Sequence, residues 1–330
     1  MIHIIAEAGT NHNGSITEAK RLIDLASIAG ADSVKFQHIN TWDLYLPGDY
    51  EYGSYDIHNV IATRKKTEFS FKNLVELNEY AHSKSILFSA SVFGERGLND
   101  LVQLDSPYIK IASCDLNNIR FIRQVSKTNS KIVLSTGQSS LKEIEFTINE
   151  MSKIRNMENV ILLHCVSIYP CRTKESNIGF ISTLRRHFEL EVGFSDHTQS
   201  NSASLVALGL GATWFEKHFT IDRSQEGLDH AYALEKNDLL GYISSLKDAQ
   251  LALEHKNEKV SDKEKLVAKR ARRGLYAARD ISPAELIKDE DILCVRPQGP
   301  IDAHEIDNVI GKKLKKEMKK YEPFTRDNIY

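Results

Sequence analysis

Residues 191–219 read EVGFSDHTQSNSASLVALGLGATWFEKHF and hold one complete unit of a fold. A short apolar run, EVGFSDH (191–197), ends in polar residues; a helical stretch, NSASLVALGLG (201–211), follows; a second apolar run, ATWFEKHF (212–219), closes the unit. Strand, helix and strand in this order argue for two parallel strands joined by a crossover helix. Working outward, the pattern recurs. HIIAEAG (3–9), DSVKFQ (32–37), ILFSASV (86–92), YIKIAS (108–113), KIVLSTG (131–137) and VILLHCV (160–166) bring the apolar runs before residue 220 to eight. The helical stretches between them include 17–30, 71–85 and 141–155, and another, 236–255, follows the eighth run. Eight β/α units in about 250 residues is the size and count of a closed (β/α)₈ TIM barrel. An open doubly wound sheet usually has fewer strands and a glycine-rich dinucleotide turn after the first. Here the first turn is GTNHNGSITE (9–18), in which Gly14 suits a left-handed turn and Ser15 with Glu18 fits a capping box.

The expected organisation is a barrel over 1–255, a charged linker or solvated helix over 256–273 (KNEKVSDKEKLVAKRARR), and a small β-rich domain over 274–330. A domain that small needs support from elsewhere. One connection, from about Ile39 to Glu68, is long and rich in Tyr, Asp and Gly. At the catalytic face of a barrel such a loop is either a substrate cover or surface filler. The 330 residues are 41% hydrophobic and 27% charged with a formal net charge of −2, which gives no electrostatic reason to expect nucleic acid or an anionic membrane as partner. MIHIIAEAG (1–9) lacks the basic start and long apolar core of a signal peptide, and no apolar stretch approaches a membrane span of about 18 residues. The four cysteines (Cys114, Cys165, Cys171, Cys294) form no C-x-x-C pair, which fits reduced thiols in a cytoplasm.

Catalysis in a barrel gathers at the C-terminal strand ends, so the polar residues there carry the information. They are Glu7; Lys35 and Gln37; Ser91; Lys110 and Ser113; Ser135; His164 and Ser167; Ser195, Asp196 and His197; Glu216 and His218. His197 and His218 end adjacent strands and could meet at the mouth, where two neutral imidazoles with open positions would suit Mn²⁺ or Mg²⁺ better than a closed zinc site. Hydrogen-bonded structural histidines are the competing reading. Lys35, Lys110, Ser113 and Ser135 could cradle a phosphate or carboxylate. A buried barrel lysine could equally form a Schiff base, and the residues alone do not rank the two.

Eight stretches in order, EAGTNHNG, AGADSVKFQ, YIKIAS, VLSTGQ, HCVSIYP, VGFSDHT, GATWFEKHFT and EGLDH, resemble the sialic acid synthase family. LYAARDI, CVRPQGPI and IGKK near the end resemble that family's antifreeze-like (SAF) domain. The resemblance implies condensation of phosphoenolpyruvate with N-acetylmannosamine or a related sugar. Phosphoenolpyruvate would be held by Lys35, Ser91, Lys110, Ser113, Ser135 and Ser195. His197 and His218 would bind the divalent metal, Mn²⁺ before Mg²⁺, that polarises the sugar's aldehyde. Glu7 and Glu216 would handle protons and stabilise the cation, and Gln37, Asp115, Tyr169 and Asp229 would contact the sugar. Arg296 would reach the acyl group in a neighbouring subunit's site, implying a domain-swapped homodimer that also supports the small domain.

The departures from the family pattern lie on the sugar side. HIN follows KFQ, SASVF stands where S-T-P-F is common, SCD replaces S-G-E and so shortens Asp115 by one methylene, and Ser167 stands where asparagine is usual. N-acetylneuraminate is the first product expected, with legionaminic and pseudaminic acids as alternatives. A phosphorylated sugar is disfavoured because the sugar loops show no extra basic cluster. A Schiff-base aldolase and a non-catalytic carbohydrate- or ice-binding protein are the readings of another class.

Overall fold

The computed structural model describes residues 1–46, 56–254 and 259–330, so parts of the 39–68 connection and of the 256–273 linker lie outside the described residues. Two compact units divide the chain, 1–254 and 255–330. In the first, eight parallel strands close a barrel in sequence order: β1 (His3–Gly9), β2 (Ser33–His38), β3 (Leu87–Val92), β4 (Ile109–Ile111), β5 (Ile132–Ser135), β6 (Val160–Cys165), β7 (Glu191–Asp196) and β8 (Trp214–His218), with β1 paired to both β2 and β8. The helices are α1 (Ile16–Ala29), α2 (Thr41–Leu44), α3 (Ile57–Lys66), α4 (Phe71–Ser83), α5 (Glu95–Gln103), α6 (Ile119–Ser126), α7 (Leu141–Ser152), α8 (Phe180–Phe188), α9 (Ser202–Gly209) and α10 (Lys236–Leu253). The barrel expected from the eight runs is the fold observed.

Alternation along the strands sorts side chains into two cores. Outward-facing Ile4, Ala6, Val34, Phe36, Phe88, Leu134, Leu162 and Phe194 pack against the helices in one large cluster. Each fully buried side chain of the Leu, Ile or Phe kind contributes about 1.5–3 kcal/mol. Inward-facing Ile5, Tyr108, Val133, Ile161, Leu163 and Trp214 plug the lower barrel. The interior is therefore a packed floor, and only its upper layer is free to be polar.

Local chemistry fixes where the helices begin. Ser70 with Asn73 and Ser140 with Glu143 form complete capping boxes at α4 and α7. The box expected at Ser15 and Glu18 is only half formed. Ser15 accepts from the Glu18 amide at 3.3 Å, but the Glu18 carboxylate turns to Arg21 at 2.8 Å. An i,i+3 ion pair has drawn the side chain away from the cap. Gly14 has φ +82°, and a Cβ there would lie 2.2 Å from the Lys66 carbonyl oxygen, so the first turn fits against the end of α3 only as glycine.

The long connection after β2 carries α2 and α3 rather than bare loop. Glu68 accepts from both the amide and the hydroxyl of Thr41, and Lys65 lies 4.2 Å from the centre of the Trp42 ring. The second unit holds α11 (Asp262–Ala271), none of whose residues is buried, and an antiparallel pair, β9 (Gly274–Ala277) and β10 (Ile292–Val295). Its small core is Leu275, Ala277, Ile281, Ile287, Ile301, Val309, Leu314, Met318 and Phe324. Among the described residues no helix is long and apolar enough to cross a membrane.

Candidate active site

Strand register assembles the site. Glu7 lies beside Lys35 on one side and His218 on the other, Gln37 beside Ser91, Ser91 beside Lys110, and Ser195 beside Glu216. All of them open into a cavity of 440 Å³ at the C-terminal ends of the strands.

At its floor the Lys35 ammonium sits 2.5 Å from Glu7 Oε2 and 3.4 Å from Glu216 Oε2, and it donates to Ser91 Oγ at 2.8 Å. Apart from this ammonium, Glu7 Oε2 and Glu216 Oε2 have no partner among the described residues. Burial pushes the Glu7 carboxyl up to about 7, which Lys35 offsets only in part and the Glu216 charge reinforces. Burial acts on Glu216 in the same sense, yet Lys35, Lys110 and the Ser195 hydroxyl (2.7 Å) outweigh it and hold that carboxyl at about 2. Lys35 is nearer to Glu7, but Glu216 has the larger set of cations and donors. Its ionised state is the one the geometry supports. For Lys35, burial disfavours the charge, and the two carboxylates overcome it and raise the pKa. The surroundings thus favour the charged form of Glu216 and disfavour that of Glu7.

Lys110 donates to Ser135 Oγ at 2.7 Å and to the Ile111 carbonyl at 2.9 Å, and burial lowers its pKa. Ser113 Oγ accepts from the Gly137 amide at 3.0 Å and lies 3.1 Å from Cys165 Sγ. A Cβ on residue 137 would come within 2.8 Å of both Ser113 Oγ and Cys165 Sγ, so glycine keeps this corner open. Two lysines and four hydroxyls around one space form a ring of donors for an anion.

Above the ring, His197 and His218 stand with their ring centres 5.6 Å apart. His197 Nδ1 donates to the Val166 carbonyl at 2.7 Å, which leaves the lone pair on Nε2, 3.3 Å from the Ser195 hydroxyl. Burial and the neighbouring His218 pull the His197 pKa down to about 4, and burial lowers that of His218, so both are neutral. Among the described residues no group of three or more His, Cys, Asp or Glu is placed to hold a metal. The half-exposed Tyr169 tilts over His197 at 4.2 Å, and Tyr232 lies 5.2 Å from both Tyr169 and His218.

Twelve of the residues expected at the site line the cavity together: Glu7, Lys35, Gln37, Ser91, Lys110, Ser113, Ser135, Tyr169, Ser195, His197, Glu216 and His218. Three expected residues are not part of its lining. Asp115 bonds Asn118 at 3.2 Å within its own 3-10 turn, and its neighbour Cys114 faces the cavity instead. Asp229 accepts from the Tyr232 hydroxyl at 2.7 Å, and its Oδ2 is buried without a partner at the rim. Arg296 is exposed on the second unit. Two strand-end residues face the other way from the reading of the sequence. His164 bonds the Ser176 carbonyl at 2.8 Å among the helices, because Ile161 and Leu163 claim the inner face of β6 and the alternation then selects Cys165. Asp196 pairs with Lys217 at 3.0 Å and accepts from Ser204, behind the barrel wall. Arg64, Gln138 and Cys165 line the cavity without having been singled out. Cys165 could have been found by counting parity from Leu163; Arg64, 27 residues after Gln37 in the long connection, carries no such signal.

Fold and site together define a (β/α)₈-barrel enzyme with a carboxylate–lysine floor and an anion-holding ring. The NeuB family model matches residues 22–258 and the SAF domain model residues 272–329. The chain is 34% identical over 326 residues to the N,N'-diacetyllegionaminic acid synthase of Campylobacter jejuni, with 97% of each chain covered. It is 32% identical over 322 residues to the protein of the same name from Legionella pneumophila, covering 94% of this chain and 90% of the other. Among solved structures it is similar to an N-acetylneuraminic acid (sialic acid) synthetase from Leptospira borgpetersenii, with 32% identity and a TM-score of 0.72 over 81% of this chain and 90% of that one. The chain belongs to the NeuB family and ends in a SAF domain. It is accordingly a carbon–carbon bond-forming transferase of the phosphoenolpyruvate-using kind.

Proposed function

We propose that this enzyme condenses phosphoenolpyruvate with an N-acylated mannosamine-type aldose, giving a nonulosonic acid and inorganic phosphate. One observation carries the reading: a donor ring and a carboxylate–lysine floor meet directly beneath two neutral imidazoles. Lys110, Ser113, Ser135 and Ser195 would hold the anionic substrate, with Lys35 turning from Glu7 toward it. C3 of the enol attacks the aldehyde carbon, whose oxygen takes a proton. Water adds at C2 and gives up one proton, and the C2–O bond to phosphate then breaks as the remaining hydroxyl proton leaves with the phosphate, giving the 2-keto group. The ionised Glu216 stabilises the positive charge that develops at C2, and Glu7 moves the proton of the incoming water.

His197 and His218 fit a divalent metal, Mn²⁺ first, because both are neutral and His197 presents an Nε2 lone pair. A metal bound there polarises the acceptor's carbonyl oxygen. For the acceptor, the names of the two full-length relatives favour a 2,4-diacetamido-6-deoxy sugar over N-acetylmannosamine. The position of Asp115 outside the cavity is consistent with a changed sugar contact. Arg296 from a partner subunit, in a domain-swapped homodimer, completes the reading.

The test is a phosphate-release panel of N-acylated sugars with phosphoenolpyruvate and Mn²⁺, with the 2-keto-3-deoxy acid product identified by mass. No phosphate from any N-acylated hexosamine would overturn it. Activity that survives EDTA, with borohydride trapping substrate on Lys110 or Lys35, would replace it with the imine mechanism.

A further inference from the structure

Arg64 reaches the cavity from α3, in the connection after β2, and is half-buried there. Its Nη1 donates to Gln37 Oε1 at 3.1 Å and to Thr10 Oγ1 at 3.2 Å. Gln37 in turn directs its Nε2 toward Glu7 Oε1 at 3.4 Å. The two contacts fix the Gln37 amide: a cationic donor faces its oxygen, and a carboxyl acceptor faces its nitrogen. Arg64 Nε is buried and has no partner among the described residues, so the guanidinium keeps a donor unspent there. Its backbone is pinned as well, with the Thr67 hydroxyl donating to the Arg64 carbonyl at 2.9 Å. Ile39, Leu44 and Tyr45, from the start of the same connection, line the same wall. Lys35, Ser91, Lys110, Ser135 and Ser195 stand on strands, and Ser113 stands in the 3-10 turn after β4.

We infer that Arg64 is a positioning residue for the acceptor sugar: it sets which atom of the Gln37 amide the sugar meets, and so tunes acceptor specificity. This rests on the reading of Gln37 as an acceptor contact. A hydrogen bond to a charged donor is strong enough for its loss to change an apparent affinity by about tenfold or more. A lysine at the position keeps a cationic donor that can approach Gln37 Oε1, whereas a methionine keeps only the bulk.

The experiment is steady-state kinetics of the intact protein with the acceptor that the wild type uses, together with a mutant cycle. Arg64→Met raises the acceptor KM about tenfold and leaves the phosphoenolpyruvate KM within about twofold. Arg64→Lys recovers part of the loss. In a Gln37→Ala background, Arg64→Met adds little, because the partner it acts through is gone. Thermal melting of each variant separates this from misfolding. An unchanged acceptor KM, equal rises in both KM values, or full additivity with Gln37→Ala overturns the inference. A wild type that releases no phosphate fails the functional reading itself; a wild type that turns over beside an unaffected Arg64→Met fails this inference alone.

Discussion

Replacing Lys35 by Met removes the one cation that, among the described residues, stands within 4 Å of both Glu7 and Glu216. The three residues are 1%, 2% and 5% exposed, so the charges left behind are poorly hydrated. Breaking a buried pair by deleting one partner costs about 3–5 kcal/mol. In a domain of this size each kcal/mol is worth about 2–4 °C, so the barrel's melting temperature should fall by about 6–20 °C. The deficit has a sign in pH. Glu7 is raised to about 7 from its usual 4.5, so the folded state binds its proton more tightly than the unfolded chain. That contribution is fully present below pH 4.5 and is lost as pH rises through 7. Without Lys35 the Glu7 pKa rises further, because burial and Glu216 are then opposed only by the more distant Lys110. The gap between variant and wild type should therefore be wider at pH 8, where wild-type Glu7 ionises beside Lys35 and the variant must either keep it protonated or bury an uncompensated charge, than at pH 5, where Glu7 is neutral in both. Melting followed by circular dichroism at both pH values reads the gap. Lys35→Met/Glu7→Gln should melt above Lys35→Met, since the second change removes the carboxylate left uncompensated. Equal gaps at the two pH values, or a double variant no more stable than the single one, would refute the electrostatic account.

The ring and the imidazole pair carry their own expectations. Ser135→Ala deprives the buried Lys110 ammonium of its 2.7 Å acceptor while sparing its bond to Ile111. The phosphoenolpyruvate KM should rise about 5–15-fold with the acceptor KM unchanged, and a change confined to the acceptor would move Lys110 to the other substrate. His218→Ala should lower turnover by at least about 100-fold and abolish retention of Mn²⁺ after desalting. Near-normal turnover, or retained stoichiometric metal, would remove His218 from the ligand set.

The barrel was legible because its evidence is redundant. Eight apolar runs, each followed by a helical stretch, cannot be reassigned one at a time without leaving a strand unpaired. The upper ring was legible for the same reason: along a strand one inward residue fixes the others by alternation. His164 and Asp196, named with the other polar strand-end residues, face outward, since Ile161 and Leu163 fill the floor on β6 and leave Cys165 facing the cavity, and Asp196 pairs with Lys217. Glu18 failed differently. The capping pattern was present in the sequence, but Arg21, three residues on, offered the carboxylate a charged partner. Arg64 was beyond reach, because it stands on α3, a helix inside the connection whose placement over the barrel no strand register sets.

This difference has a chemical consequence. The residues that would hold the anion and move protons stand on β-strands or at their ends, where neighbouring positions are set by hydrogen-bonded register. A substitution in that layer displaces a partner on the adjoining strand, as Glu7, Lys35 and Glu216 illustrate across β1, β2 and β8. Ile39, Leu44, Tyr45 and Arg64 line the cavity from one connection, and Asp115 lies in a 3-10 turn after β4. These segments make few ladder bonds, so they can change length and residue type without disturbing the ring. The sequence departures in HIN and SCD fall in or beside such segments. On the proposed reading the anion is held largely from the strands, while Arg64 acts on the acceptor through Gln37 from a connection that can vary without disturbing the barrel.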